Sequence, residues 1–221
     1  MIGAMKRHVR AFRDTRQLIV VLSAALLASA CARASTSATP SATASSWSGA
    51  TIVRAVQLPN ITLTDTAGQP FNLRQRGVGK FTLLYFGYTH CPDACPATMA
   101  TLTLALRSLP AADRNQAQVI FVTTDPGRDT GPVLKTWLAQ FEPTFIGLTG
   151  TNAQIEEAQG LTHLPNSQLD SPDASGGYAV EHSAFLLAFT ADGLAHITYP
   201  GGVSSTDEAR DFQRLIEHGF Q

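Results

Sequence analysis

A continuous apolar run, Phe81 to Phe86 (FTLLYF), leads directly into the segment Gly87 to Pro96 (GYTHCPDACP). A run of that length flanked by turn chemistry is typical of a strand buried on both faces, which demands a layer of structure on either side. Met99 to Leu109 then carries leucine and methionine at helical spacing, and Pro110 closes it. Two cysteines, Cys91 and Cys95, therefore flank the start of a helix that follows a central strand. Asp93 is placed to cap that helix. Cys95 near the helix N-terminus would meet free N–H groups and the positive end of the dipole, which favour a thiolate. Pro96 is tolerated because the first turn has no intrahelical N–H bond to lose.

The remaining pattern supplies the other layers. Val119 to Thr123 has the character of a second buried strand, ended by Asp125-Pro126-Gly127, and Pro132 to Phe141 that of a helix with proline in its first turn. Phe145 to Leu148 is a short strand candidate, and Asn152 to Leu161 a helix with Asn152 as its N-cap. The stretch from Thr162 to Val180 is polar and aperiodic. Loops of that length inside a compact domain are usually functional or disordered. Ser183 to Thr190 and His196 to Tyr199 form a hairpin around Ala191-Asp192-Gly193-Leu194, and Asp207 to Glu217 a last amphipathic helix capped by Ser205 or Thr206. This order predicts an α/β sandwich around a mixed sheet.

Two exposed sulfurs of low pKa at Cys91 and Cys95 could form a structural disulfide, act as a redox pair, or grip a soft metal. Thiolates suit copper(I), and an added imidazole extends such a site to copper(II). A loop with three intervening residues staples little, which counts against a purely structural bridge. His182 stands where the long polar loop meets the next strand, a position that alone suggests only a strand-end histidine. His90 adjoins Cys91 and is placed to tune it or simply to occupy the loop. His163, His196 and His218 lack ligand spacing and are expected at the surface. Trp47 and Trp137 are expected to be packing or membrane-proximal residues, with no chemistry implied.

The N-terminus has the features of an address. Lys6, Arg7, Arg10, Arg13 and Arg16 form a positive region, followed by the apolar stretch Leu18 to Leu27. Those ten residues fall short of the roughly 20 needed to span a bilayer. Ala28-Ser29-Ala30 leads into Cys31, so residues 1–30 are expected to be a signal peptide of lipoprotein type with Cys31 as the acylated residue. Ordinary cleavage at the Ala-x-Ala-like step, or no cleavage and a short anchor, is the competing possibility. Residues 31–49 are rich in Ser, Thr and Ala and are expected to be a mobile tether, with residues 50–221 as one domain. Loss of five basic residues and one acidic residue with the signal moves the formal charge from −1 to −5. With no basic patch, nucleic acid is not an expected partner.

Tyr85 to Pro96 (YFGYTHCPDACP) resembles the signature of the Sco/SenC family of cytochrome c oxidase copper-assembly proteins, a C-x-x-x-C with proline after each cysteine. Thr124 to Thr130 (TDPGRDT) resembles that family's aspartate–proline loop after the second core strand. Tyr178 to Ser183 (YAVEHS) resembles the segment holding its metal-binding histidine. The family pattern has aspartate before that histidine, and this chain has Glu181, the same charge on a longer arm. The resemblance implies a thioredoxin-like three-layer sandwich that binds copper through Cys91, Cys95 and His182. It further implies a role in building the copper centre of a terminal oxidase, with an oxidase subunit or another copper carrier as partner. Together with the N-terminus, this predicts a lipid-anchored domain on the outer face of the bacterial cytoplasmic membrane. The alternative is a thiol–disulfide reductase that keeps a partner's copper-ligand cysteines reduced, using only the Cys91/Cys95 pair.

Overall fold

The computed structural model describes residues 47–172, 174 and 177–221; the expected signal peptide (residues 1–30), Cys31 and the expected tether as far as residue 46 lie outside the described residues. The chain runs β1 (Ala50–Gln57), β2 (Thr62–Asp65), β3 (Pro70–Asn72), α1 (Leu73–Gly77), β4 (Phe81–Gly87), α2 (Ala94–Ser108), α3 (Ala111–Arg114) and β5 (Ala117–Thr123). It continues through α4 (Gly131–Leu138), β6 (Ile146–Thr149), α5 (Asn152–Leu161), β7 (Gln168–Leu169), β8 (Val180–Glu181), β9 (Leu186–Phe189), β10 (Leu194–Tyr199) and α6 (Ser205–His218).

Eight strands form one sheet in the order β1-β10-β9-β4-β5-β6-β2-β3. β4, β5 and β6 are parallel, and β9, β10, β1, β2 and β3 add antiparallel edges. The mixed sheet and three-layer, thioredoxin-like architecture expected from the sequence are both present. β4 is buried at every position because both of its faces are covered. Leu83, Tyr85, Val119 and Phe121 pack beneath Met99 and Leu102 of α2, Leu134 of α4 and Phe212 of α6. The intervening Leu84, Phe86, Ile120 and Val122 pack on Ile155 and Ala158 of α5 with Leu58 and Leu73. This is the period of two that a strand imposes on its side chains.

Several boundaries differ from the sequence expectation, each for a local reason. The N-cap of α5 is Thr151 and not Asn152, because Thr151 and Gln154 form a reciprocal capping box. The cap of α6 is Ser204 in place of Ser205 or Thr206, its hydroxyl accepting from the Asp207 N–H. The aperiodic stretch after α5 contains a small ladder, β7 against β8, which ties its two ends together. The folded body also begins ahead of β1. Trp47 is buried and stacks on Phe220 with centroids 5.8 Å apart, and the Ser48 N–H donates to Asp211 at 2.6 Å. Among the described residues, no helix is long and apolar enough to cross a membrane.

Candidate metal centre

Strand order alone brings distant residues to one edge. β9 runs antiparallel to β4, with Leu84 opposite Leu187 and Thr82 opposite Phe189, so the chain entering β9 lies beside the end of β4. β5 runs parallel to β4 on its other side, from Phe81 opposite Ala117 to Gly87 opposite Thr123. Three segments therefore meet at the carboxyl edge of the parallel strands: Tyr88–Asp93 after β4, Thr124–Thr130 after β5, and the approach to β9 that carries His182.

Within the first segment, the Cys91 N–H bonds Tyr88 O at 3.2 Å and closes a turn. Asp93 caps α2 as expected, accepting from the Ala94 N–H at 2.6 Å. Cys95, one residue into the helix, donates its own N–H to Cys91 Sγ at 3.4 Å. His182 Nε2 stands 3.8 Å from Cys91 Sγ and 3.5 Å from Cys95 Sγ. All three ligand atoms lie within 4.8 Å of one another, and both cysteines are free thiols. His182 Nδ1 is 3.3 Å from Ser183 O, an arrangement that keeps the ring proton on Nδ1 and turns the Nε2 lone pair toward the sulfurs. Tyr85 and Tyr88 meet the imidazole edge-on, at 6.2 and 5.5 Å between centroids.

The expected exposure of both sulfurs is overturned, and with it the low pKa expected of Cys95. Cys91 is 8% exposed and Cys95 is fully buried. Burial pushes the Cys95 thiol well above the usual thiol range, outweighing hydrogen bonds from Tyr88 and Tyr85 that favour the thiolate. Burial likewise lowers the His182 pKa, against opposing backbone hydrogen bonds at Ser183 and Phe86, so the imidazole is neutral near pH 7. The Tyr85 hydroxyl, itself pushed upward by burial, remains a phenol and donates to Cys95 Sγ at 3.9 Å. The site is thus a largely buried cluster of soft donors, in which a thiophilic cation would have to displace the proton of the Cys95 thiol.

Other residues singled out in the sequence fall outside this cluster. His90 is exposed, with Nδ1 3.1 Å from the Thr89 hydroxyl and 3.8 Å from Asp129. Glu181 is exposed in β8. His196 stacks on Phe220 at 4.5 Å, and His218 lies 3.5 Å from Glu217. Asp129 precedes Thr130, the N-cap of α4, and its buried carboxylate accepts from the Thr89 N–H and hydroxyl and from Thr123 Oγ1. Asp125 pairs with Arg128 and accepts from the Tyr178 hydroxyl at 3.0 Å. Arg128 and Tyr178 occur in the quoted segments, but nothing in their spacing announces that they touch across fifty residues.

Comparison with known proteins matches the SCO1/SenC family over residues 54–217. The mitochondrial protein SCO2 of Saccharomyces cerevisiae is 38% identical over 131 residues, covering 59% of this chain and 43% of the yeast protein, so the chain spans under half of that relative's length. The solution structure of apo Sco1 from Thermus thermophilus superposes with a TM-score of 0.69 at 30% identity, covering 77% of this chain and 97% of that one. The copper-bound structure of ScoI from Bradyrhizobium japonicum superposes at 0.64 with 29% identity, covering 73% of this chain and 100% of that one. The chain belongs to the SCO1/SenC family.

Proposed function

We propose that this chain is a copper-binding metallochaperone of the exported compartment, holding copper through Cys91, Cys95 and His182. The observation that carries this reading is the convergence of two thiols and one neutral imidazole, with ligand atoms within 4.8 Å of one another in a pocket closed by Tyr85 and Tyr88. The donor set selects the metal. Two sulfurs suit copper(I), and the nitrogen makes copper(II) tolerable. Two thiolates and a neutral ring give a net charge of zero with copper(II) and −1 with copper(I), so neither oxidation state leaves a large charge in the pocket. The copper-bound ScoI structure supports the same metal for this chain. Anchoring through Cys31 at the outer face of the cytoplasmic membrane, and delivery to a terminal oxidase subunit, complete the proposal. A chain held at that surface meets a membrane-bound acceptor at high effective concentration.

A titration of the reduced full chain with copper under argon, repeated on His182→Ala, tests the binding. One copper per chain and a thiolate-to-copper(II) absorption band that the substitution abolishes or shifts are expected. Absence of tight binding in the unsubstituted chain sinks the reading.

The free dithiol supports a second role. Cys91 and Cys95 can pass two electrons to a partner disulfide, becoming a disulfide themselves while the partner regains two thiols. That reaction needs no His182, so an exchange rate unchanged in His182→Ala isolates it from metal transfer.

A further inference from the structure

We propose that Arg128 is the positioning residue that holds His182 in ligand geometry, and that it thereby sets how well the site accepts copper(II) relative to copper(I). This rests on the copper reading of the Cys91–Cys95–His182 cluster.

The segment that brings His182 to the cysteines has little structure of its own. Among the described residues between α5 and β9, regular structure is limited to the two-residue strands β7 and β8. Arg128, in the turn after β5, grips that segment at Tyr178, four residues before His182. Its Nη1 donates to Tyr178 O at 3.0 Å, and its guanidinium carbon lies 3.6 Å from the Tyr178 ring centroid. Its Nε pairs with Asp125, whose other oxygen accepts from the Tyr178 hydroxyl at 3.0 Å. Arg128 and Asp125 thus hold one tyrosine by its ring, its carbonyl and its hydroxyl. The same guanidinium carbon lies 5.8 Å from the Tyr88 ring, the ring that meets His182 edge-on at 5.5 Å. One side chain therefore touches both the segment that carries His182 and the aromatic wall against its imidazole. A planar fork can make these contacts together, whereas an ammonium cannot.

The two oxidation states depend on this differently. Copper(I) is satisfied by the two thiolates, which sit on the β4–α2 loop and helix and do not need Arg128. Copper(II) needs the nitrogen donor, so a wandering His182 penalises it selectively. Groups that orient a metal-binding imidazole typically contribute 10–100-fold in affinity.

The test uses the full chain with Arg128→Ala, Arg128→Lys, Tyr178→Phe, His182→Ala and the Arg128→Ala/His182→Ala double variant. Copper(II) affinity is expected to fall about 10- to 100-fold in Arg128→Ala. Its absorption and electron paramagnetic resonance spectra should move toward those of His182→Ala, while copper(I) affinity changes less than about threefold because the thiolates are untouched. Arg128→Lys should restore only part of the loss. In the double variant the copper(II) loss should equal that of His182→Ala alone, since a residue acting through His182 has nothing left to position.

Hydrogen exchange of the metal-free protein gives a reading that does not depend on copper. Amides of residues 178–183 should exchange faster in Arg128→Ala, with the β4 and β5 amides unchanged. If Arg128→Ala fails to fold, Tyr178→Phe removes one hydroxyl while keeping the ring, and should shift the copper(II) spectrum and the exchange in the same direction by less. Additive losses in the double variant, or an unchanged copper(II) spectrum in a folded variant, overturn the proposal. A parent chain that binds no copper refutes the copper reading instead, and unchanged exchange at residues 178–183 then refutes the latch separately.

Discussion

Gly87 gives up its side-chain space to the sulfur of Cys95: a Cβ at position 87 would stand 2.7 Å from Cys95 Sγ and 2.8 Å from the Tyr85 ring. The last residue of β4 is therefore small because the first turn of α2 packs its thiol there. Gly87→Ala must displace the sulfur or the Tyr85 ring, and overpacking of this kind costs about 1–3 kcal/mol. Urea unfolding should show that loss, and competition with a copper chelator should show weaker binding than in the parent. Unchanged stability and affinity would mean the sulfur is free to move.

Asp129 anchors the cysteine loop from beneath. Its fully buried carboxylate accepts from the Thr89 N–H at 2.9 Å, the Thr89 hydroxyl at 2.5 Å and Thr123 Oγ1 at 2.7 Å. Asp129→Ala leaves the Thr89 N–H and the Thr123 hydroxyl without this buried acceptor, at a cost of about 1–3 kcal/mol. Denaturant midpoints should fall accordingly, with faster amide exchange at Thr89. A neutral result would show that the loop is held by the helix cap alone.

Copper affinity should rise with pH. The buried Cys95 thiol, held well above the ordinary range by desolvation, carries its proton at neutral pH, and binding must expel it. Release of that proton alone makes apparent affinity climb by at least about tenfold per pH unit. His182, with its pKa lowered by burial, adds competition only on the acid side of its ordinary 6.5. Affinities measured between about pH 6.5 and 8.5 should follow this slope. A flat profile would show Cys95 already ionised.

The central strands were legible because burial on both faces leaves continuous apolar runs in β4, β5 and β9. β1 was not, since most of it faces solvent and Val53 is fully exposed, so it shows neither a run nor a clean alternation. The β2–β3 hairpin is set by Asp65, whose carboxylate accepts from Ala67 and Gln69, a turn signal too short to stand out in the sequence. The capping box of Thr151 and Gln154 was present in the sequence and simply outcompetes Asn152. At the site, the cysteine pair declared itself by position. His182 did not, because its approach to the sulfurs depends on β9 pairing with β4, a contact across about a hundred residues that local pattern does not encode. Cys95 departs from what the helix end alone would give because its burial, which local pattern does not encode, dominates.

Glu208 makes folding pH-dependent. It is 5% exposed, its Oε2 has no hydrogen-bond partner among the described residues, and burial with the nearby Asp211 raises its pKa from 4.5 to about 8. Between those values the folded protein keeps a proton that the unfolded chain has released. The contribution to stability is therefore complete below pH 4.5 and is lost as pH rises toward 8. A decline on the order of 1–3 kcal/mol between about pH 5.5 and 8 is expected by urea unfolding, and Glu208→Gln should remove most of it. A slope that persists in Glu208→Gln would assign the effect elsewhere.

The start of the domain can be tested by truncation. Trp47 packs against Phe220 at 5.8 Å with the Arg214 guanidinium 4.0 Å from its ring, and the Ser48 N–H gives Asp211 its shortest hydrogen bond at 2.6 Å. Arg210 Nη2 adds a bond to the Ser48 hydroxyl at 2.7 Å. A chain beginning at residue 50 loses the buried indole and leaves the buried Asp211 with the Tyr199 hydroxyl at 3.3 Å and Arg210 at 3.9 Å. Burial of an indole and one charge-assisted hydrogen bond together are worth about 2–4 kcal/mol. The residue-50 chain should therefore unfold at lower urea than one beginning at residue 45, and Trp47→Ala in the longer chain should recover most of the difference. Equal midpoints would place the start of the stable domain at β1. If the loss is found, Trp47 belongs to the folded domain, held there by α6 and the C-terminus.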